Sequence, residues 1–445
     1  MTAPDTGGRR ALAGLLSALV LANTGTGLAA IALPWFVLVS SGSAVLTGLV
    51  AFAEIAPYVL VKALAGPLVD RLGPRVVSWT TDLVSAAAVG LVPLLHAAGL
   101  LPFGLLLPLV ALVGAARGPG DLAKQIMVPE AAERGGVPLE RATGLSGVIE
   151  RLASTIGPAA GGALVALLGA PTTLGVNALC FVTGSLVIAA TLPVGMGRGA
   201  AGGTGEAEGG GYWRRFGDGL AFVRADRLLL TIVLMVAVTN MLDTALNTLL
   251  LPVWARESGA GPSAIGLLTA VGGATAVCGS LIATATAHRL RRRPVFFAGF
   301  LIASAPRFVV LAGDTASGLP RWTVIVIFGA SGFGAGFLNP ILSALLFERV
   351  PRALRGRVMG LTTAAAWSCM PFGGLLAGAA VSGLGLAPAL LTAGTVYFLT
   401  IVLAGLRPEW REMDRGRGRA RGPAQPPTGT AAAVAAEDTR GRRAT

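Results

Sequence analysis

Read for the spacing of apolar and polar positions alone, the chain breaks into twelve apolar stretches of about 20 residues, each bounded by charge, glycine or proline. Six lie near 11 to 38, 45 to 68, 76 to 96, 103 to 127, 142 to 168 and 171 to 193. Six more lie near 228 to 254, 263 to 288, 294 to 313, 321 to 346, 356 to 383 and 386 to 406. A helix rising about 1.5 Å per residue crosses the roughly 30 Å hydrocarbon layer in such a length. The pattern predicts an all-α membrane protein with twelve transmembrane helices. The first run follows Arg9 and Arg10 but exceeds the apolar core of a signal peptide, so it reads as a spanning helix.

The two sets of six echo each other. At a nearly constant offset, Asn23 meets Asn240, Leu33-Pro34 meets Leu251-Pro252, and Gly48 meets Gly266. Further on, Gly144-Leu145 meets Gly360-Leu361, and Pro158 before Gly161-Gly162 meets Pro371 before Gly373-Gly374. The expected organisation is an N-terminal segment (1–10), a six-helix bundle (11–194), a linker (195–227), a second bundle (228–406) and a basic tail (407–445). Residues 195 to 211 have linker composition, and Tyr212 to Arg227 mix aromatic with basic side chains as an amphipathic surface helix does. From Arg407 the tail is rich in Arg, Gly, Pro and Ala and reads as disordered.

Charge then sets orientation. Arg9, Arg10, Arg71, Arg75, Arg134, Arg141, the linker, Arg289 to Arg293, Arg349 to Arg357 and the tail all fall on one side. Turns on the other side are bare except for Arg256 and Arg321. The positive-inside rule makes the first side cytoplasmic, with both termini inside. In a soluble chain a net charge of +13 would suggest a nucleic-acid partner. With 53% hydrophobic and 13% charged residues and a mean hydropathy of +0.72, those charges are instead topological signals, and no nucleic acid is expected. Cys180, Cys278 and Cys369 sit apart in apolar runs and read as small core residues. With His96 and His288 near run ends, they offer neither a disulfide framework nor metal-ligand spacing, so no metal or cofactor is expected.

The most informative polar stretch, Gly66-Pro67-Leu68-Val69-Asp70-Arg71-Leu72-Gly73-Pro74-Arg75, joins the second and third runs. Two helices reversing at a membrane surface need glycine for close approach and for positive φ, and Gly66 and Gly73 are placed to supply both. Gly66, Leu68, Asp70, Arg71, Gly73 and Arg75 match the pattern G-x-L-x-D-R-x-G-x-R, whereas Val69, Pro74 and Ser78 depart from its surroundings. In this the chain resembles the major facilitator superfamily, and the resemblance extends over residues 10 to 406. The second-half counterpart keeps Gly279 and the basic run His288 to Arg293 but lacks the aspartate. In the fifth run, Gly157-Pro158-Ala159-Ala160-Gly161-Gly162 resembles the G-P-x-x-G-G signature of exporters that exchange drug for proton. The same residues suit plain helix packing, since proline kinks a helix and glycine lets a neighbour close in. Ile31 to Pro34, Val128-Pro129-Glu130, and Val350-Pro351 to Gly356-Arg357 make the sequence most similar to the siderophore (enterobactin) and macrolide exporter group.

An ionisable residue at mid-membrane costs at least about 2.5 to 3.5 kcal/mol on insertion scales, so each is a functional candidate. Asp243, roughly 22 Å along the seventh run, leads, with Asn240 and Asn247 at helical spacing on its face. Glu54 is the second coupling candidate, and Asn23, the repeat mate of Asn240, joins the set. Neither acid has an acidic mate, because the repeat puts Thr26 opposite Asp243 and Gly272 opposite Glu54. A permanently paired carboxylate is the alternative, with Lys62 two turns beyond Glu54 on the same helix. Asp82 or Asp121 is expected to pair with Arg71 or Arg75, which with Gly66, Asp70 and Gly73 would form a conformational gate. Glu150 and Arg151 read as another pair, while Arg117 and Arg307 are further intramembrane charges, Arg307 without an assigned partner.

The resemblance implies a secondary active transporter working by alternating access. It points to a proton-coupled exporter of a small lipophilic or siderophore-like molecule, a monomer in a bacterial plasma membrane, with the lipid bilayer and its small substrate as partners. An importer of a small solute, and a sensor or assembly protein using the fold without transport, both stay open at this level. Neither a G-x-x-x-x-G-K-[ST] loop nor a nucleophile with its base occurs, so ATP drive and enzymatic activity are not expected.

Overall fold

A computed structural model describes residues 6–197, 221–286, 291–350, 355–411 and 413. Twelve helices among them are long and apolar enough to cross a membrane. Spans 1 to 6 are Gly7–Ser41, Ala44–Leu64, Pro74–Ala97, Phe103–Arg134, Leu139–Leu168 and Ala170–Thr191. Spans 7 to 12 are Arg227–Glu257, Gly261–Thr286, Arg292–Ser317, Arg321–Arg349, Val358–Leu384 and Leu386–Gly405.

Glycine and proline explain where these helices stop and bend. The joint between spans 2 and 3 is itself a short helix, Gly66–Leu72, rather than an open turn. Pro67 presets the first-turn geometry, and Gly73 at φ 88° ends the helix and starts span 3. Among the described residues nothing lies within 4 Å of where a Cβ on Gly66 would stand, so the close approach expected there is not made. Span 7 widens into a π-helical turn, Leu246–Leu250, just before Pro252. Span 9 breaks at Ser304, span 10 at Phe337 and span 11 at Ser368 and Cys369, each a few residues ahead of a proline whose missing N–H interrupts the ladder.

The six-helix scheme is repeated. Span 2 packs on 4, 1 on 5 and 6, and 3 on 6; correspondingly, 8 packs on 10, 7 on 11 and 12, and 9 on 12. Equivalent pairs also join the halves, with span 2 against the outer half of 11 and span 5 against 8. Glycines form those seams: a Cβ on Gly48 would stand 2.3 Å from the Gly374 carbonyl oxygen, and one on Gly162 would stand 2.6 Å from that of Pro262.

The seam is tight on the side with few basic residues and loose on the other. On the bare side the Arg256 guanidinium donates to the Leu38 carbonyl at 3.0 Å, tying span 7 to span 1. Toward the basic side the inner half of span 11 barely touches span 2, and among the described residues Gly144, Gly147 and Gly360 have no neighbour within 4 Å of a Cβ position. The halves therefore close on the bare side and part on the basic side.

Several expectations need correcting or fall outside this description. Cys278 is exposed on span 8, not packed in a core. The chain after Arg407 begins with a 3₁₀ turn, Pro408–Arg411, because Trp410, fully buried, wedges against Phe296 and Phe297 at ring distances of 5.4 and 4.8 Å. His288, residues 198 to 220 of the linker and nearly all of the tail lie outside the described residues.

Candidate functional site

Spans 2 and 4 run parallel in backbone contact because Gly114 and Gly118 face span 2. A Cβ on Gly114 would stand 2.0 Å from the Glu54 carbonyl oxygen, and one on Gly118 3.0 Å from that of Tyr58. So close an approach sets side chains rung against rung. Arg117 meets Glu54 at 3.2 Å, and the Tyr58 hydroxyl donates to Asp121 at 3.2 Å one turn on. Next comes Lys62, whose ammonium donates to the Tyr58 hydroxyl at 2.9 Å. Arg117 lies over the Tyr58 ring at 5.1 Å, and Lys62 lies over both Tyr58 at 5.1 Å and Trp367 at 4.8 Å. Trp367 comes from span 11 and stacks on Tyr58 at 6.2 Å, so the ladder reaches across to the other half. Cations held over aromatic faces with carboxylates alongside keep charge tolerable at mid-membrane.

The expected pairings change accordingly. Lys62 is not the partner of Glu54: two turns separate them by about 12 Å along the helix, whereas Arg117 reaches straight across from span 4. Asp82 and Asp121 pair with neither Arg71 nor Arg75. Asp82, 2% exposed, accepts from Lys124, 1% exposed, at 2.7 Å, because it lies about two turns deeper than Arg75. Arg75 instead donates to the Ala189 carbonyl at 2.7 Å, while Asp70 and Arg71 are exposed on the joint. Glu150 and Arg151 form no ion pair with each other, since adjacent helical residues point to different faces; both are exposed on span 5.

In the second half Asp243 is bound rather than open. Arg307 reaches it from span 9 at 2.6 Å and the Tyr397 hydroxyl donates from span 12 at 3.3 Å. The break at Ser304 restarts span 9 immediately before Arg307 and so sets where that residue points. Asn240 donates to the Ala366 carbonyl of span 11 at 3.0 Å, and Asn247 to the Asp243 carbonyl of its own helix at 2.7 Å. The three residues share a helix without converging on one point. Asn23 is half-buried on span 1, away from these bonds.

The Gly157 to Gly162 motif faces two ways. Gly157 packs on Gly27 and Gly161 on Leu28 of span 1, while Gly162 meets Pro262 and Gly266 of span 8 across the halves. Sequence reasoning missed Lys124, Tyr58, Trp367 and Asn177. Arg117, Asp121 and Lys124 at i, i+4 and i+7, and Glu54, Tyr58 and Lys62 at i, i+4 and i+8, were the available signal for two facing polar edges.

Twelve spans in two repeated halves, closed on one side and lined with paired charge at mid-membrane, define a transporter of the major facilitator fold. The nucleoside transporter NupG shares that fold with a TM-score of 0.70 at 14% identity, over 91% of this chain and 98% of that one. A bacterial homologue of the human lysosomal transporter Spinster, in an inward-facing and unoccupied conformation, does so with a TM-score of 0.67 at 12% identity, over 95% and 100%. The chain belongs to the transmembrane secretion effector family, whose profile matches residues 9–438. It is 33% identical over 405 residues to the multidrug efflux pump Tap of Mycobacterium tuberculosis (strain ATCC 25618 / H37Rv), covering 90% of this chain and 94% of that protein.

Proposed function

We propose that the protein is a proton-coupled exporter of small lipophilic or siderophore-like molecules in a bacterial plasma membrane, with Glu54 and Arg117 as its coupling pair. One comparison within the chain carries this reading. Spans 8 and 10 repeat the backbone contact of spans 2 and 4: a Cβ on Gly332 would stand 2.0 Å from the Gly272 carbonyl oxygen, and one on Gly336 2.3 Å from that of Ala276. Gly332 and Gly336 are the repeat mates of Gly114 and Gly118, but Gly272, Ala276, Ala335 and Asn339 stand where the first half has Glu54, Tyr58, Arg117 and Asp121. The packing forms without the charges. A costly polar ladder that the fold does not need is there for what it does.

The positive-inside rule makes the basic side cytoplasmic, with both termini inside, and the conformation described then faces the cytoplasm, from which an exporter loads. A proton arriving at Glu54 removes its negative charge and releases Arg117; its loss to the cytoplasm restores the pair. The free guanidinium beside Tyr58, Lys62 and Trp367 changes how the two halves meet, which links protonation to the seam. One charge moved through 100 mV supplies about 2.3 kcal/mol, enough for a gradient of roughly fiftyfold. Asp243 with Arg307 is the second coupling candidate, and the family resemblance to a multidrug efflux pump supports export of more than one lipophilic compound.

Inverted vesicles energised by a proton gradient test this with a panel of lipophilic antibiotics and siderophores. Gradient-driven uptake in wild type that falls to background in Glu54→Gln supports the reading. Uptake only into right-side-out vesicles would make the protein an importer.

A further inference from the structure

One face of span 3 carries Arg75, Ser78, Asp82, Ser85, Val89 and Val92, a spacing of three and four that keeps them in line. The face is buried within the first half: Ser78 and Ser85 are 0% exposed and Asp82 2%. Yet the Ser78 and Ser85 hydroxyls, Asp82 Oδ2 and Arg75 Nε have no hydrogen-bond partner among the described residues. The stripe turns apolar at Val89 and Val92, and there, beyond the two serines and Asp82, they line a mostly apolar cavity whose polar groups are Glu54, Arg117, Asn177 and Thr26. Among the described residues, Asn177, 1% exposed, has both its amide oxygen and nitrogen unpartnered, and Arg117 Nε is unpartnered too. The cavity holds about 20 Å³ open to the centre of a water molecule, more than the ~10–15 Å³ that one water needs.

Buried polar groups of this kind are normally satisfied, and a run of them in register from mid-membrane to the basic surface has the chemistry of a hydrated file. We propose that this seam is a water-filled proton path inside the first half, connecting Glu54 to the basic side separately from the space between the halves. It rests on the reading of Glu54 as a coupling acid. The step is a transfer without redox: the Glu54 O–H breaks, its proton passes to a cavity water beside Asn177 and along Ser85, Asp82 and Ser78, and the carboxylate closes again on Arg117. Arg117 faces Glu54 from span 4, and Tyr58, Lys62, Asp121 and Glu150 are the titratable groups of the surrounding ladder. Asp82 is faced by Lys124, with Asp121 and Arg117 beyond it.

The test is an upward pH jump on the full-length protein in lipid, followed by infrared absorption of the protonated carboxyl band that Glu54→Gln removes. Ser85→Ala and Asn177→Leu are expected to slow loss of that band about tenfold or more with its amplitude kept. Ser78→Ala, a smaller change nearer the basic surface, gives the same result if either of the others fails to fold. An unchanged rate in the folded variants overturns the seam and routes the proton through the space between the halves. Absence of any band assignable to Glu54 removes both the seam and the coupling role on which it rests.

Discussion

Lys124 and Asp82 show what a charge inside the bundle costs when it loses its partner. Both are almost wholly buried and meet at 2.7 Å. Lys124→Met leaves the Asp82 carboxylate stranded, and we expect a loss on the order of 3–5 kcal/mol, read as a lower melting temperature in detergent. Adding Asp82→Leu restores most of it, because an apolar pair of similar volume needs no compensation. A single variant as stable as wild type would contradict the pairing. The Asp243 pair, more open to solvent, predicts a smaller effect: Asp243→Asn costs about 1–3 kcal/mol, and Arg307→Gln placed on top of it costs little more. Among the candidate residues Asp243, Glu54, Asp82 and Arg117 were legible in the sequence as charge in apolar runs, but their partners were not. A partner depends on which helices lie side by side, so Lys62 on the same helix as Glu54 looked nearer than Arg117 on another.

At the scale of helices, glycine decides which faces touch. Gly114→Val drives span 4 off the Glu54 carbonyl, and Gly332→Val does the same to spans 10 and 8 at Gly272. Both are expected to lower the melting temperature by similar amounts, but Gly114→Val also separates Glu54 from Arg117. Proton release on substrate addition, measured with a pH dye in purified protein, should be lost in Gly114→Val and kept in a folded Gly332→Val protein. Loss in both would assign the effect to packing alone. The extent of the helices was largely visible in the apolar runs, because span length and flanking charge are local properties. The runs 294 to 313, 321 to 346 and 356 to 383 read as unbroken helices, whereas the structure breaks them at Ser304, Phe337 and Ser368, just ahead of Pro306, Pro340 and Pro371; the direction each break gives its helix depends on neighbours that a single sequence does not name.

For the whole molecule, the seam on the bare side is the element that the proposed export cycle requires to open. Gly48→Val places methyl groups against the Gly374 carbonyl, and Arg256→Ala removes the tie to Leu38. Each is expected to shift the population toward a state open on the bare side, seen as a longer distance between spin labels on the outer ends of spans 1 and 7. Unchanged distances in both variants would show that this seam does not control the equilibrium. The duplication was readable from aligned glycines and prolines, and with it the division into two six-helix bundles. That the polar ladder belongs to one half only emerges when Gly114 and Gly332 are seen making the same contact with different side chains beside them.

Proton coupling through Glu54 is tested most directly by efflux in inverted vesicles, comparing wild type with Glu54→Gln and with Asp243→Asn. The coupling pair predicts that gradient-driven uptake falls to background in Glu54→Gln while substrate still binds the purified protein. Full gradient-driven uptake in Glu54→Gln would contradict it, and loss confined to Asp243→Asn would move the coupling acid to the second half.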